Sequence, residues 1–440
     1  LHIDGKHSYE NTVLDFLNLL PAAAPHAMAL FDDQCNPAHC DGPPDERPPN
    51  AGFRERVAAV PTLATCDLVA AGLMAAEAAA GAGAEVTIVD QRRSFGRTLL
   101  LAGRSGLNLT HAEPLEVFLG RYGDGRAMLE PAIRAFPPDA VRAWADELGA
   151  DTFVGSSGRV FPASMRATGL LRAWTARLAG LGVAMRTGET WAGFTDDGAT
   201  VLALGGASWP SVGGDGSWFA HVETAGIPVV PFAASNAGVL VAWSAPLLER
   251  FEGVPIKNAA LTAGGRTVRG EPTITATGLE GGPIYALGPE LRSGHGLEID
   301  LQPDLDTDAL AARLVDRRRP KDSVSTWLRK GGLSPVDVAL LRDATGNRLP
   351  TEATAIANLA KAVPIPVEGL APIDRAISTA GGVALDAIDD TGMLLDRPGT
   401  WVAGEMVAWD APTGGYLIQA CLSTGHQAGV AAARWAAEHP

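Results

Sequence analysis

Cysteine is scarce: only Cys35, Cys40, Cys66 and Cys421 occur in 440 residues, too few for a disulfide framework in a chain this long. None forms a C-x-x-C pair, which argues against a thiol redox centre of the disulfide-reductase kind. Cys35 and Cys40 bracket His39, but no second ligand pair follows at zinc-site spacing, so no metal is expected. Positive charge is also short. Lys and Arg number 35 against 50 Asp and Glu, for a formal charge of −15. A broad nucleic-acid surface needs clustered cations, so nucleic acid is a disfavoured partner. Long apolar runs are missing as well. The most apolar stretch, Leu68 to Ala76, stops at Glu77 and is too short to span a bilayer. No charged start leads into an apolar segment, so no secretory signal is visible. A start at Leu1 points to an unusual start codon or a trimmed terminus. The expectation is a soluble cytoplasmic protein without a membrane partner.

What remains is abundant apolar sequence. Hydrophobic residues make up 46% and charged residues 19%, enough for a large core, and the length suits two or three domains. Residues 1–50 read as an extension, with a helix from Ser8 to Leu20 and a Pro- and Asp-rich linker from Asn36 to Asn50. From Arg56 the texture alternates between strand and helix. Val57 to Val60 is a short apolar strand, Ala70 to Ala80 an Ala-rich helix, and Glu85 to Asp90 a β-branched strand ending in an acid. That order is a βαβ unit with parallel strands. Thr168 is expected to cap a helix whose Leu170, Leu171, Trp174 and Leu178 share a face, and Ala199 to Leu204 is a further buried strand. Between 236 and 302 short strands with glycine turns suggest a β-rich domain, and 303–370 read as a helical subdomain. The fold class is therefore α/β: a Rossmann-like, discontinuous dinucleotide domain (51–235 and 371–440) carrying these two insertions.

A βαβ nucleotide site uses glycines after its first strand, so that backbone can approach the pyrophosphate, and the helix N-terminus supplies N–H groups. An acid ending the second strand accepts from the ribose. Asp90 qualifies, about 18 residues beyond Gly72 against the roughly 20 expected. The glycines do not. Between Val60 and Gly72 stands PTLATCDLVAA, read as a long loop with a carboxylate at Asp67 and with Gly72 as the surviving packing glycine. Three other loops restore the case. Phe95 to His111 combines Arg97 and Arg104 with Gly103, Gly106, Asn108 and Thr110, a set that can wrap a pyrophosphate. Leu204 to Trp218 follows a strand with Gly205-Gly206. Val402 to Gly429 is a strand, an acid, then Thr413-Gly414-Gly415 opening a helix whose dipole can face the N1–C2=O edge of a flavin.

At these residues the chain resembles the aminoacetone-oxidase-type FAD-binding flavoproteins, which have two dinucleotide-binding folds. The matching blocks are GRTLLLAGRSGLNLTHAEP, GRVFPASMRATGLLRAW, LALGGASWPSVGGDGSW, STAGGVALD and VAGEMVAWDAPTGGYLIQACLSTGHQAG, spread from about 84 to 435. The resemblance implies FAD as cofactor. Asp90 would bind the adenosine ribose; Arg97, Gly103, Gly106, Asn108 and Thr110 would line the pyrophosphate and flavin side. Gly404, Glu405, Thr413, Gly414 and Gly415 would hold the ribityl phosphate and flavin end, with Gly205 in the adjoining loop. The departure is the first fingerprint: family members carry G-G-G-P-A-G-L, and this chain shares only Ala71-Gly72-Leu73.

The expected activity is oxidoreduction of a small-molecule substrate by hydride transfer to flavin N5, with NAD(P)H open as an electron donor. His111 is the candidate base, set against a structural histidine; His295 and Tyr416 are further candidates, and His426 is expected to pack or cap. Trp209 and Trp218 can stack near the ring or fill the core. The alternatives are a non-catalytic scaffold with lost or weakened FAD binding, and an RNA-modifying flavoenzyme sharing the fold. Substrate identity, electron acceptor and oligomeric state are not encoded in any motif found.

Overall fold

The computed structural model describes residues 62–65, 69–102, 106–195 and 198–439. The Ser8–Leu20 helix, the Val57–Val60 strand, the Cys35/His39/Cys40 group and Gly103 lie outside these residues. Five parallel strands form the central sheet: β1 (Thr62–Thr65), β2 (Thr87–Asp90), β3 (Ala184–Thr187), β4 (Thr200–Ala203) and β5 (Thr400–Val402), in spatial order β5-β4-β1-β2-β3. The register aligns Thr65 with Asp90 on one side and with Ala203 on the other. The carboxyl ends of β1, β2 and β4 therefore share one edge. Connections run outward from β1 through β2 to β3, then return to the opposite flank through β4 and β5. That reversal puts a switch point between β1 and β4, the position where doubly wound sheets bind their ligands.

The first strand corrects the sequence expectation. TLAT, read as part of a long glycine-free loop, is the central strand, and only residues 66–68 separate it from helix α1 (Val69–Gly81). Ala70 to Ala76 are all buried, because α1 lies between the sheet and the last helix of the chain. Helix α2 (Ala167–Gly180) buries Leu170, Leu171, Trp174 and Leu178 as expected. Its N-cap position is Arg166 without a side-chain cap, so Thr168 sits inside the first turn and is not the cap.

The chain leaves the sheet domain through Val229–Ser235 and returns through Ser378–Val383, which pair antiparallel. Between them, strands 273–275, 278–280, 239–241 and 367–370 make one antiparallel sheet; 266–270, 259–263, 297–300 and 363–365 make another. Residues 363–370, grouped from sequence with the helical stretch, thus supply the closing strand of each sheet. Helix α3 (Ala245–Phe251) follows the first of these strands, and α4 (Val324–Lys330) and α5 (Pro335–Ala344) lie in the helical excursion between Asp300 and Val363. Ser323 and Ser334 cap α4 and α5 with their hydroxyls. This part has its own apolar core, including Leu261, Ile299, Leu310, Trp327 and Ile356.

The final helix, α6 (Tyr416–Glu438), returns to the sheet domain and packs along α1. A Cβ on Gly425 or Gly429 would lie 2.2 Å from the carbonyl oxygen of Ala71 or Ala75. Backbone thus meets backbone along this crossing, and only glycine permits it. No described helix is long and apolar enough to cross a membrane.

Candidate functional site

Asp90 closes β2 at the switch-point edge and is 2% exposed. Its Oδ1 accepts the backbone N–H of Arg92 at 2.7 Å. Burial lifts the carboxyl to about 6; the Arg92 N–H and the charges of Arg92 and Arg97 pull against that rise. At neutral pH the group is an ionised acceptor, as a ribose hydroxyl requires. Arg97 opens a short helix beside it and donates from Nε to Ser94 Oγ at 2.8 Å. Arg92 donates to Pro210 O at 2.8 Å, tying the end of β2 to the loop after β4.

The residues expected on the flavin side converge from two directions. Gly106, at φ 120°, turns the chain against Met165, and Thr110-His111 pair antiparallel with Arg159-Val160. A Cβ on Gly415 would come within 2.6 Å of the Thr110 carbonyl, so the start of α6 is pressed onto this strand. Gly414 and Gly415 have φ of 133° and 98°, which demands glycine. Thr413 N donates to Asn236 Oδ1 at 3.1 Å; Asn236 in turn donates to Ser378 Oγ and Ala411 O at 2.7 and 2.8 Å. Asn236 and Ser378 were not anticipated from sequence.

On the other side, Gly404 at φ 70° follows β5 and rests on Ala71 of α1, next to buried Gly72. Its N–H donates to Thr424 Oγ1 at 3.0 Å. Gly205, at φ 71°, accepts at its carbonyl from Trp218 Nε1 at 2.9 Å, so Trp218 is a buried packing residue. Glu405 is fully enclosed and accepts the Thr379 N–H at 2.7 Å. It clamps the β4 and β5 loops to the returning strand, a holding role beyond the flavin contact expected from sequence.

His111 has both ring nitrogens engaged: Nδ1 accepts from Glu113 N at 3.2 Å, which leaves Nε2 to donate to Ser157 O at 2.9 Å. Its ring stacks on Tyr416 at 5.6 Å. In this arrangement both nitrogens are occupied by backbone groups. Sequence reasoning missed Glu113, which gathers the cluster. It accepts Tyr416 OH at 2.7 Å and a two-pronged ion pair from Arg121 at 2.7 and 3.1 Å. Burial pushes Glu113 up, but the Arg121 and Tyr416 hydrogen bonds outweigh it and hold the carboxyl below its usual value. Burial and Glu113 raise Tyr416, so its hydroxyl stays a donor. The only earlier sign of Glu113 was its place in the HAEP end of a family block. His295 bonds Glu290 O within the insertion, away from this cluster. His426 stacks on Phe136 at 4.8 Å, and burial lowers its pKa.

Two buried oxygens in the same region, Asn108 Oδ1 and Thr110 Oγ1, have no hydrogen-bond partner. Buried polar atoms are normally satisfied. Such orphans, on a segment packed against left-handed Gly415, fit a polar ligand, and with the buried carboxylate of Asp90 the described residues are compatible with FAD. No group of three or more His, Cys, Asp or Glu able to hold a metal occurs among the described residues.

The family described as HI0933-like protein Rossmann domain matches residues 69–431. A Clostridium scindens 3-dehydro-bile acid delta(4,6)-reductase is 25% identical over 406 residues, covering 83% of this chain and 97% of the relative. Among solved structures, the 3-ketosteroid-delta4-(5alpha)-dehydrogenase of Rhodococcus jostii aligns with a TM-score of 0.41 and 15% identity, over 87% of this chain and 99% of that one. A flavocytochrome c3 fumarate reductase aligns at 0.42 and 16%, over 86% and 78%.

Proposed function

The chain belongs to the HI0933-like protein Rossmann-domain family, an FAD-binding family, and from that premise we propose that it is an FAD-dependent oxidoreductase of the cytoplasm acting on a small molecule. When bound, the flavin supplies hydride exchange at N5, with NAD(P)H as the donor if the reaction runs as a reduction. The chain's residues bind and orient. Asp90 accepts from the adenosine ribose, Arg97 faces the pyrophosphate, and the N-terminus of α1 adds its N–H groups. Asn108 and Thr110 bond the flavin side, and Gly404 with Thr413-Gly414-Gly415 lets backbone approach it. The start of α6 brings positive partial charge to that end, and Tyr416, kept protonated, donates its one hydroxyl proton to Glu113 and so holds the helix start against the Glu113–Arg121 pair. The relative from Clostridium scindens is named for reducing a 3-dehydro-bile acid, which makes such acids the first substrates to test.

The carrying observation is the pair of orphaned oxygens on Asn108 and Thr110, on a segment whose Thr110 backbone packs against Gly415 at the start of α6. A second reading, a scaffold that no longer holds FAD, draws support from one feature. Counting back from Ala71-Gly72-Leu73, the family's three glycines fall on Asp67, Leu68 and Val69. The visible spectrum of the purified protein, followed by FAD titration, separates the two. Oxidised-flavin bands at close to one FAD per chain are expected. A protein that stays colourless in excess FAD, while a variant with glycine at 67–69 takes it up, would sink the enzyme reading for this chain.

A further inference from the structure

The three helices α3, α4 and α5 frame a groove of about 400 Å³ in the insertion, and none of the candidate FAD residues lines it. Its polarity follows from two hydrogen bonds. Ser244, at the start of α3, donates its backbone N–H to Asp343 Oδ1, near the end of α5, at 3.1 Å. Ser325, near the start of α4, accepts from Arg342 Nη2, also near the end of α5, at 3.0 Å. The short link from Lys330 to Pro335 turns α4 back along α5, and the closing arginines of α3 and α4, Arg250 and Arg329, line the groove with Pro335. The floor between is apolar, with Leu247, Phe251 and Val338 buried.

The two ends differ in charge. At the Asp343 end, Arg342 is committed to Ser325 and to Asn347 Oδ1 at 2.6 Å, and the carboxylate of Asp343 balances it. At the other end, Arg250 and Arg329 are exposed, and neither guanidinium has a carboxylate or hydrogen-bond partner among the described residues. Arg250 lies only against the Phe251 ring, 5.3 Å from its centroid. In a chain with 50 acidic residues, two uncommitted arginines beside one apolar floor make a distinctive juxtaposition. Guanidinium groups match the geometry of an oxyanion. The volume lies in the range of small-molecule sites.

We propose that this groove binds a small amphipathic anion. Its apolar body lies on Leu247, Phe251 and Val338, and its single carboxylate, sulfonate or phosphate is met by the arginines that line the groove, Arg250 and Arg329. The site is separate from the FAD region and stands independently of the proposed oxidoreductase activity.

Fluorescence titration of the full chain in saturating FAD tests this, using anilinonaphthalene sulfonate and its uncharged counterpart phenylnaphthylamine. One saturable sulfonate site per chain is expected. Arg250→Gln with Arg329→Gln, both exposed, should weaken the sulfonate about tenfold and leave the neutral dye unchanged. Ala339→Trp, which fills the groove, should weaken both dyes, with circular dichroism confirming that each variant is folded. Absence of a saturable site, or a double arginine variant that binds the sulfonate as the wild type does, would overturn the proposal.

Discussion

Glu405 sits where a carboxylate is hardest to ionise. Burial lifts its pKa to about 7 from an ordinary 4.5, and the Asp410 charge adds to this, while the N–H groups of Thr379 and Gly206 oppose it. The folded-state value lies above the unfolded one. The folded chain therefore holds the extra proton between about 4.5 and about 7, and stability falls as pH rises through that window. Glu405→Gln keeps an acceptor for Thr379 and cannot ionise. Thermal melts at about pH 5 and about pH 8 should show a larger loss for wild type than for the variant; parallel losses would mean that the carboxylate is fully compensated. Asp90 contributes a smaller effect of the same sign, present in both proteins. Asp90 and Glu405 were both legible in the sequence, because each follows an apolar strand. What surrounds them was not. Thr413 meets Asn236 across 177 positions and Tyr416 meets Glu113 across 303, and no local pattern carries such pairings.

Two helices meet backbone to backbone at the crossing of α1 and α6. At Gly425 and Gly429 a methyl group would stand 2.2 Å from a carbonyl oxygen of α1, a distance that must force the helices apart. Gly→Ala inside a helix normally gains up to about 1 kcal/mol; here the overpacking should win, with a net loss of about 2 kcal/mol or more for Gly425→Ala. Gly169 in α2 is the control: it is exposed and a Cβ there meets nothing within 4 Å. Gly169→Ala should therefore stabilise by about 0.5 to 1 kcal/mol. Urea unfolding of both variants decides the matter, and equal shifts in one direction would show that the crossing is slack. The Ala-rich helix, the two strands that follow 84 and 199, and the glycine start of α6 were readable because period, capping glycines and β-branched runs agree. The central strand was not, because TLAT is four residues long and the glycines that normally announce its end are replaced.

At the scale of the molecule, the described residues hold two apolar cores. One surrounds the five-stranded sheet, and the other lies between the insertion's sheets and helices. The chain passes between them at 235–239 and 370–378, where Ala234, Ala237 and Ala376 form a small separate cluster. Arg292 adds one polar tie from the insertion, pairing with Asp410 and donating to Ala234 O at 3.2 Å. Ser235 Oγ donates to the same Asp410 at 2.5 Å. Among the described residues the junction holds these contacts and the Asn236 hydrogen bonds, a small set beside either core, so each core should open with its own free energy. FAD contacts only the first core in the proposed reading. At one hundred times its dissociation constant it adds about 2.7 kcal/mol to that core, which raises its melting temperature by about 5 to 10 °C. Calorimetry should accordingly resolve two transitions, of which FAD moves one. Arg292→Gln should widen their separation, since it removes the polar tie while leaving both cores packed. One cooperative transition that FAD shifts as a whole would mean that the narrow junction transmits stability across the entire chain.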